Sequence, residues 1–144
     1  MARIKIEFPE LFVFETRLRI RVYDLNYGAH LANQSVQSLI HEARMRFLES
    51  IGASELSFFG TSLIMADAAI QFRAEGFWGE EVLVQIAVQD ISRNGFDLLY
   101  KLSVPSQNKE IARVKTAMVC FNYETRKVAG LPESAQMHLL PPKS

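Results

Sequence analysis

A carboxylate, two amides and a histidine fall close together in one short polar stretch: Asp24, Asn26, His30 and Asn33, with Gly28 among them. A histidine accepts a proton at physiological pH. A carboxylate serves as nucleophile or general base. An asparagine amide has no usable basic lone pair, but it orients a water or donates to a carbonyl. A helix beginning directly after such a stretch adds a further tool, because its first N–H groups and its dipole favour a developing oxyanion. Glu42, further along, is a second carboxylate within reach of such a site. Each residue also has a plainer reading. Asp24 can make an Asx-turn, His30 can hold loop backbone, and Glu42 can pair with Arg46 at i,i+4. The clustering of polar groups just before an apolar helix favours a site. Glu42 is the first choice of base and Asp24 the second. His41 and Glu42 are adjacent and do not face each other on a helix. His30, His41 and His138 lack metal-ligand spacing, so no metal is expected.

These residues need a frame. From about Glu15 to Leu25, Leu18, Ile20 and Val22 alternate with Arg17, Arg19 and Arg21, the period of a half-buried strand. The three arginines then share one face, either solvated or set against an anion or a second subunit. From about Gln34 to Ile51, Val36, Leu39, Ile40, Ala43, Phe47 and Ile51 recur at helical spacing. Asn33 is placed to cap this helix and Gly52 to stop it. Strands follow at 62–72, 81–91, 96–104 and 111–123. The Asn94 and Gly95 pair signals a hairpin between the second and third of these. The tail, with Pro132, Pro141 and Pro142, reads as a surface trailer. One helix among antiparallel strands implies an α+β architecture, a curved sheet wrapped around the helix and closed by a second copy.

Composition narrows the function. Sixteen basic and sixteen acidic residues balance, which argues against a nucleic-acid partner. The first ten residues lack the apolar core of a signal peptide, and no run approaches the roughly 18 apolar residues of a membrane span. A cytoplasmic protein without a membrane partner is therefore expected, as one domain over 1–144 with its core at about 11–133. The single cysteine, Cys120, excludes an internal disulfide and reads as a buried thiol.

Taken in order, Arg21, Asp24, Gly28, His30 and Asn33, then His41, Glu42, Ala43 and Arg44 with Phe47 and Leu48, resemble the 4-hydroxybenzoyl-CoA thioesterase branch of the hotdog superfamily. Phe77 to Glu81, Ala112 to Val119, Asn122 to Val128 and Leu131 to Glu133 resemble later parts of that family, so the likeness runs from about Arg17 to Glu133. The resemblance implies a hotdog fold and hydrolysis of an acyl-CoA to free acid and thiol, with no cofactor. Three departures stand out. The family's catalytic aspartate falls on Asn26, the first of its paired asparagines on Ala32, and Ala29 stands just before His30 where a glycine is usual.

The expected site therefore comprises Asp24, Asn26, His30 and Glu42 as catalytic candidates. Asn33, Arg73 and Arg93 are the candidates for binding substrate, the two arginines toward the nucleotide of coenzyme A. Phe58, Phe59, Phe72, Phe77 and Trp78 either line an acyl tunnel or fill the core, with core preferred. Self-association as a homodimer or homotetramer is expected, with the loop from Asp24 to Asn33 at the interface. Two other functions stay open: a non-catalytic acyl-CoA binder, favoured by Asn26, and a MaoC-type enoyl-CoA hydratase. The second is suggested by Asp24, Asn26 and His30, but no proline follows Asn26 and the histidine comes one residue late.

Overall fold

The computed structural model describes residues 3–141; Met1, Ala2 and 142–144, Pro142 among them, lie outside it. Six strands and two α-helices follow one another as β1 (Phe14–Arg19), α1 (Asn33–Ser50), β2 (Ser62–Phe72), β3 (Glu81–Gln89), β4 (Gly95–Val104), β5 (Lys109–Asn122), β6 (Lys127–Val128) and α2 (Glu133–Leu139). The strands make one antiparallel sheet in the order β1-β3-β4-β5-β2, with the short β6 paired to the end of β5. This leaves β1 and β2 as edges.

The expected alternation decides which face is inside. Val82, Val84 and Ile86 of β3, with Phe96, Leu98, Tyr100 and Leu102 of β4, turn to one face and join Val36, Leu39, Ile40, Ala43 and Phe47 of α1 in a single buried cluster. Ile51 sits at the margin of that cluster. Arg44 is also buried, and its charge is met inside. Its Nη1 donates to Tyr100 Oη at 3.1 Å, its Nε donates to Glu55 Oε1 at 3.2 Å, and Tyr100 shares a 2.8 Å hydrogen bond with Thr116. Burial pushes the Tyr100 hydroxyl above its ordinary pKa, so it stays a neutral partner for the guanidinium.

Three expectations need correction. The first strand ends at Arg19 rather than near Leu25, because Val22–Asp24 forms a 3-10 turn. Asn33 does not cap α1: it is the first helical residue, and the cap position is Ala32, which offers no side-chain hydrogen bond. Gly52 does follow the helix end, with φ at +76°. The tail is not a surface trailer. Leu131, Ala135 and Leu139 recur at four-residue spacing and belong to the main core, and His138 stacks on Phe59 at 5.0 Å. Of the prolines that suggested a trailer, Pro132 is the cap residue of this helix and Pro141 follows its end.

The segment before β1 covers the other face of the sheet. Ile6 packs with Ala87 and Leu99, flanked by Phe8, Phe12 and Ala69. Its main chain is pinned at both polar groups: Ile6 N donates to Gln71 Oε1 at 3.2 Å, and Arg113 Nη1 donates to Ile6 O at 3.0 Å.

The tail correction carries a test. Leu139→Ala should lower stability by about 2–5 kcal/mol, the cost of a leucine removed from a packed core. Leu140→Ala, at an exposed neighbour, should stay within about 0.5 kcal/mol. Urea unfolding of both variants checks this, and equal small effects would return the tail to the surface.

Candidate active site

The loop from Asp24 to Asn33 closes on itself before it enters α1. Asp24 is almost completely buried. Its Oδ2 accepts from Arg21 N at 2.7 Å and from Arg21 Nε at 3.4 Å, while its carbonyl accepts from Ala32 N at 2.9 Å. Asp24 therefore fastens both ends of the loop and is occupied in doing so. Next, Asn26 N donates to His30 O at 2.9 Å, and Asn26 Oδ1 accepts from Gly28 N at 2.8 Å. Ala29, where the family resemblance leads one to expect glycine, keeps the left-handed conformation at φ +65°, a strained choice for a residue with a Cβ.

The effect is to bring Asn26 and His30 together. A Cβ placed on Gly28 would lie 3.2 Å from Asn26 Oδ1 and 3.3 Å from His30 Nε2, so both polar atoms face the same small space. His30 Nδ1 lies 3.3 Å from Leu31 O. A carbonyl only accepts, so this contact suits the neutral tautomer with its proton on Nδ1 and its lone pair on Nε2.

A segment distant in sequence completes the site. After β2 the chain passes alongside the loop: Leu31 N donates to Gly76 O at 2.7 Å, and His30 bridges Phe77. Glycine at 76 eases this approach, since a Cβ there would meet Leu31 Cβ at 3.3 Å and displace Ile20 Cδ1, 2.7 Å away. Between the two segments and the start of α1 opens a cavity of about 290 Å³, lined among others by His30, Asn33, Val36, Phe72, Arg73 and Glu75. No side chain caps α1. Ser35 N donates to Ala32 O at 3.0 Å, and the N–H groups before it, at Asn33 and Gln34, are of the kind a helix leaves unpaired at its start and can be offered to a ligand. The arrangement can polarise a carbonyl at the helix start and accept a proton at His30 Nε2.

The structure thus gathers His30, Asn33 and Arg73 around one cavity, with Asn26 beside His30 in the loop. Arg73 Nε is held by Glu110 Oε1 at 3.1 Å. Asp24 underlies the loop. Glu42 lies elsewhere within the chain: its carboxylate takes Arg46 Nε at 3.1 Å and lines a separate groove with Arg17, Arg19 and Arg21. Nine residues of helix separate it from Asn33, about 13.5 Å along the axis. Arg93 is at the β3–β4 turn, where its carbonyl accepts from Leu131 N at 2.8 Å, and it does not line the cavity. Of the aromatic candidates, Phe58 is core, whereas Phe72, Phe77 and Trp78 are exposed, correcting their assignment to the interior. Phe72 lines the cavity. Cys120 is buried, and burial pushes its thiol up to about 11, which leaves it protonated and inert. Among the described residues no group of three His, Cys, Asp or Glu side chains is placed to hold a metal ion, and no helix is long and apolar enough to cross a membrane.

Glu75 carries no local signal of a site. Nothing near it in sequence is polar and helical. Its one distinguishing mark is a carboxylate beside a glycine shortly after a strand, in a segment that the sheet returns to the start of the helix.

Residues 20–139 match the family model described as the thioesterase-like superfamily. A 1,4-dihydroxy-2-naphthoyl-CoA hydrolase from Microcystis aeruginosa is 34% identical over 111 residues, 75% of this chain and 75% of that protein. Another, from Rippkaea orientalis, is 28% identical and covers 83% of this chain and 90% of its own. A solved 1,4-dihydroxy-2-naphthoyl-CoA thioesterase from Synechocystis has the same fold with a TM-score of 0.79 at 24% identity, covering 88% of this chain and 94% of its own.

The two carboxylates predict different behaviour. Asp24→Ala should cost about 1–3 kcal/mol of stability, because it leaves buried donors unmatched. Glu42→Ala removes an exposed pair and should cost no more than about 1 kcal/mol. Chemical denaturation of both variants separates a structural carboxylate from a solvated one, and equal costs would contradict the description of the loop.

Proposed function

The chain belongs to the thioesterase-like superfamily, has its hotdog fold and hydrolyses acyl-CoA thioesters to free acid and thiol, and we propose that the reaction takes place in the cavity at the start of α1. The observation that carries this is the convergence of His30 Nε2 with the uncapped helix start in one cavity. A thioester carbonyl is already activated, so modest equipment suffices. The carbonyl oxygen is received by the first N–H groups of α1, which stabilise the charge that develops on it. His30 Nε2 is the proton acceptor for the attacking water. Asn26, whose Oδ1 is engaged by Gly28 N, keeps its amide N–H groups to orient water or substrate. Asn33 and Arg73 contact the substrate at the mouth, and no cofactor takes part. Phe72 lines it and Phe77 bridges His30, both exposed, and they suit an aromatic acyl group, the kind named for the curated relatives.

We also propose a two-fold homodimer. Among the described residues β2 is an edge strand, met on its outer side by Glu55 O at Leu63 N, and apolar side chains on or beside it stand in the open: Met65 is 45% exposed and Leu56 76%. Tyr27, on the site loop, is fully exposed. An open edge with apolar flanks favours pairing. A role for Glu42 in the same cavity requires the second copy, given its position in one chain.

Thiol release from aromatic and straight-chain acyl-CoAs tests the activity. His30→Ala should lower turnover by about 10²- to 10⁴-fold, with no effect of a chelator on the parent. Binding without thiol release would support an acyl-CoA binder, and hydration of an enoyl-CoA without thiol release a hydratase. Light scattering at micromolar concentration should give the dimer mass or a multiple, and a monomer would contradict the assembly.

A further inference from the structure

We propose that Glu75 is a catalytic residue of this site, holding the hydrolytic water together with His30. The proposal rests on the reading that the cavity at the start of α1 hydrolyses thioesters. Glu75 Oε1 lies 4.0 Å from His30 Nε2, too far for a direct hydrogen bond. In the tautomer that donates Nδ1–H to Leu31 O, both facing atoms are acceptors. Two acceptors at this spacing fit one water that donates to each, since two hydrogen bonds of about 2.8 Å meeting at its oxygen span the gap. The water oxygen then has its lone pairs free and lies beside the helix start where the carbonyl oxygen docks.

An exposed glutamate on a loop is ordinarily just solvated, and Glu75 is 64% exposed. Two features set it apart. Its position is fixed by main-chain contacts on the C-terminal side, through Gly76 to Leu31 and Phe77 to His30. Among the described residues, the one cation that lines the cavity, Arg73, is turned to Glu110, and the only basic group within ion-pair distance of Glu75 is His30.

The step balances without any further reactant. The water oxygen bonds to the carbonyl carbon as one water proton passes to His30 Nε2, and the ionised Glu75 stabilises the imidazolium so formed. The tetrahedral intermediate collapses, the C–S bond breaks, and the leaving sulfur takes the proton back from His30. The products are the free acid and the thiol of coenzyme A.

The test is steady-state thiol release by the full-length parent, Glu75→Gln, Glu75→Asp, His30→Ala and the Glu75→Gln/His30→Ala double variant, with melting curves for each. Glu75→Gln should lower kcat about 100-fold while KM stays within about threefold and the melting temperature is unchanged. Glu75→Asp should recover part of the loss. In the His30→Ala background the Glu75→Gln change should add little, because groups that act as a unit are not additive. An active parent whose kcat is unaffected by Glu75→Gln would overturn the role of Glu75 and leave the thioesterase site standing. So would an effect confined to KM, or one of full size in the absence of His30. A parent that releases no thiol from any acyl-CoA would remove both readings.

Discussion

The buried carboxylate of Asp24 sets the geometry on which the site depends. Its oxygen takes the main-chain N–H of Arg21 and its own carbonyl takes that of Ala32, so one residue ties the end of the first strand to the first turn of the helix. A carboxylate in a low-dielectric setting is stable only with such partners. Once they are made, the intervening residues have few ways to run. Asn26 and His30 pair through main chain, Ala29 is driven to positive φ, and the imidazole is delivered to the mouth of the helix. The carboxylate closest in sequence to the family's catalytic position is thus engaged in holding the loop, and in the proposed mechanism the chemistry falls to the residues it holds in place.

The helix is fixed just as firmly against the sheet. Its apolar stripe buries against β3, β4 and β5, and Arg44 adds a directional contact inside that otherwise sliding surface. The guanidinium reaches Tyr100 on β4, which reaches Thr116 on β5. Removing either partner would leave a buried polar group unmatched, so the network favours one register of helix on sheet. That register sets where the N-terminus of α1 comes to rest relative to Gly76. The start of the helix is therefore presented at a defined place and left uncapped, which costs helix stability and leaves donors for a ligand.

Most of this frame is legible in the sequence because its signals are periodic. Alternation in 82–88 and 96–104 and the three- and four-residue spacing in 36–47 identify strands and helix and which side of each is buried. Local chemistry misleads where two local readings compete. Asn33 is a good cap by type, but Ala32, whose N–H donates to the carbonyl of Asp24, takes the cap position. The prolines of the tail mask a short helix that buries only two residues, Ala135 and Leu139. The site divides in the same way. Asp24, Asn26, His30 and Asn33 are neighbours along the chain, so their positions alone group them. Glu75 joins them only through strand topology, and no spacing rule connects residue 30 to residue 75. Glu42 shows the converse: closeness in sequence places it with the loop, while nine residues of helix carry it to another groove.

The most direct measurement is a crystal structure of the protein with a non-hydrolysable acyl-CoA analogue. The account predicts the carbonyl oxygen of the analogue within hydrogen-bonding distance of the first N–H groups of α1, with His30 and Glu75 on the side from which water attacks. A carbonyl group seated instead in the arginine-lined groove beside Glu42, or away from the start of α1 altogether, would contradict it.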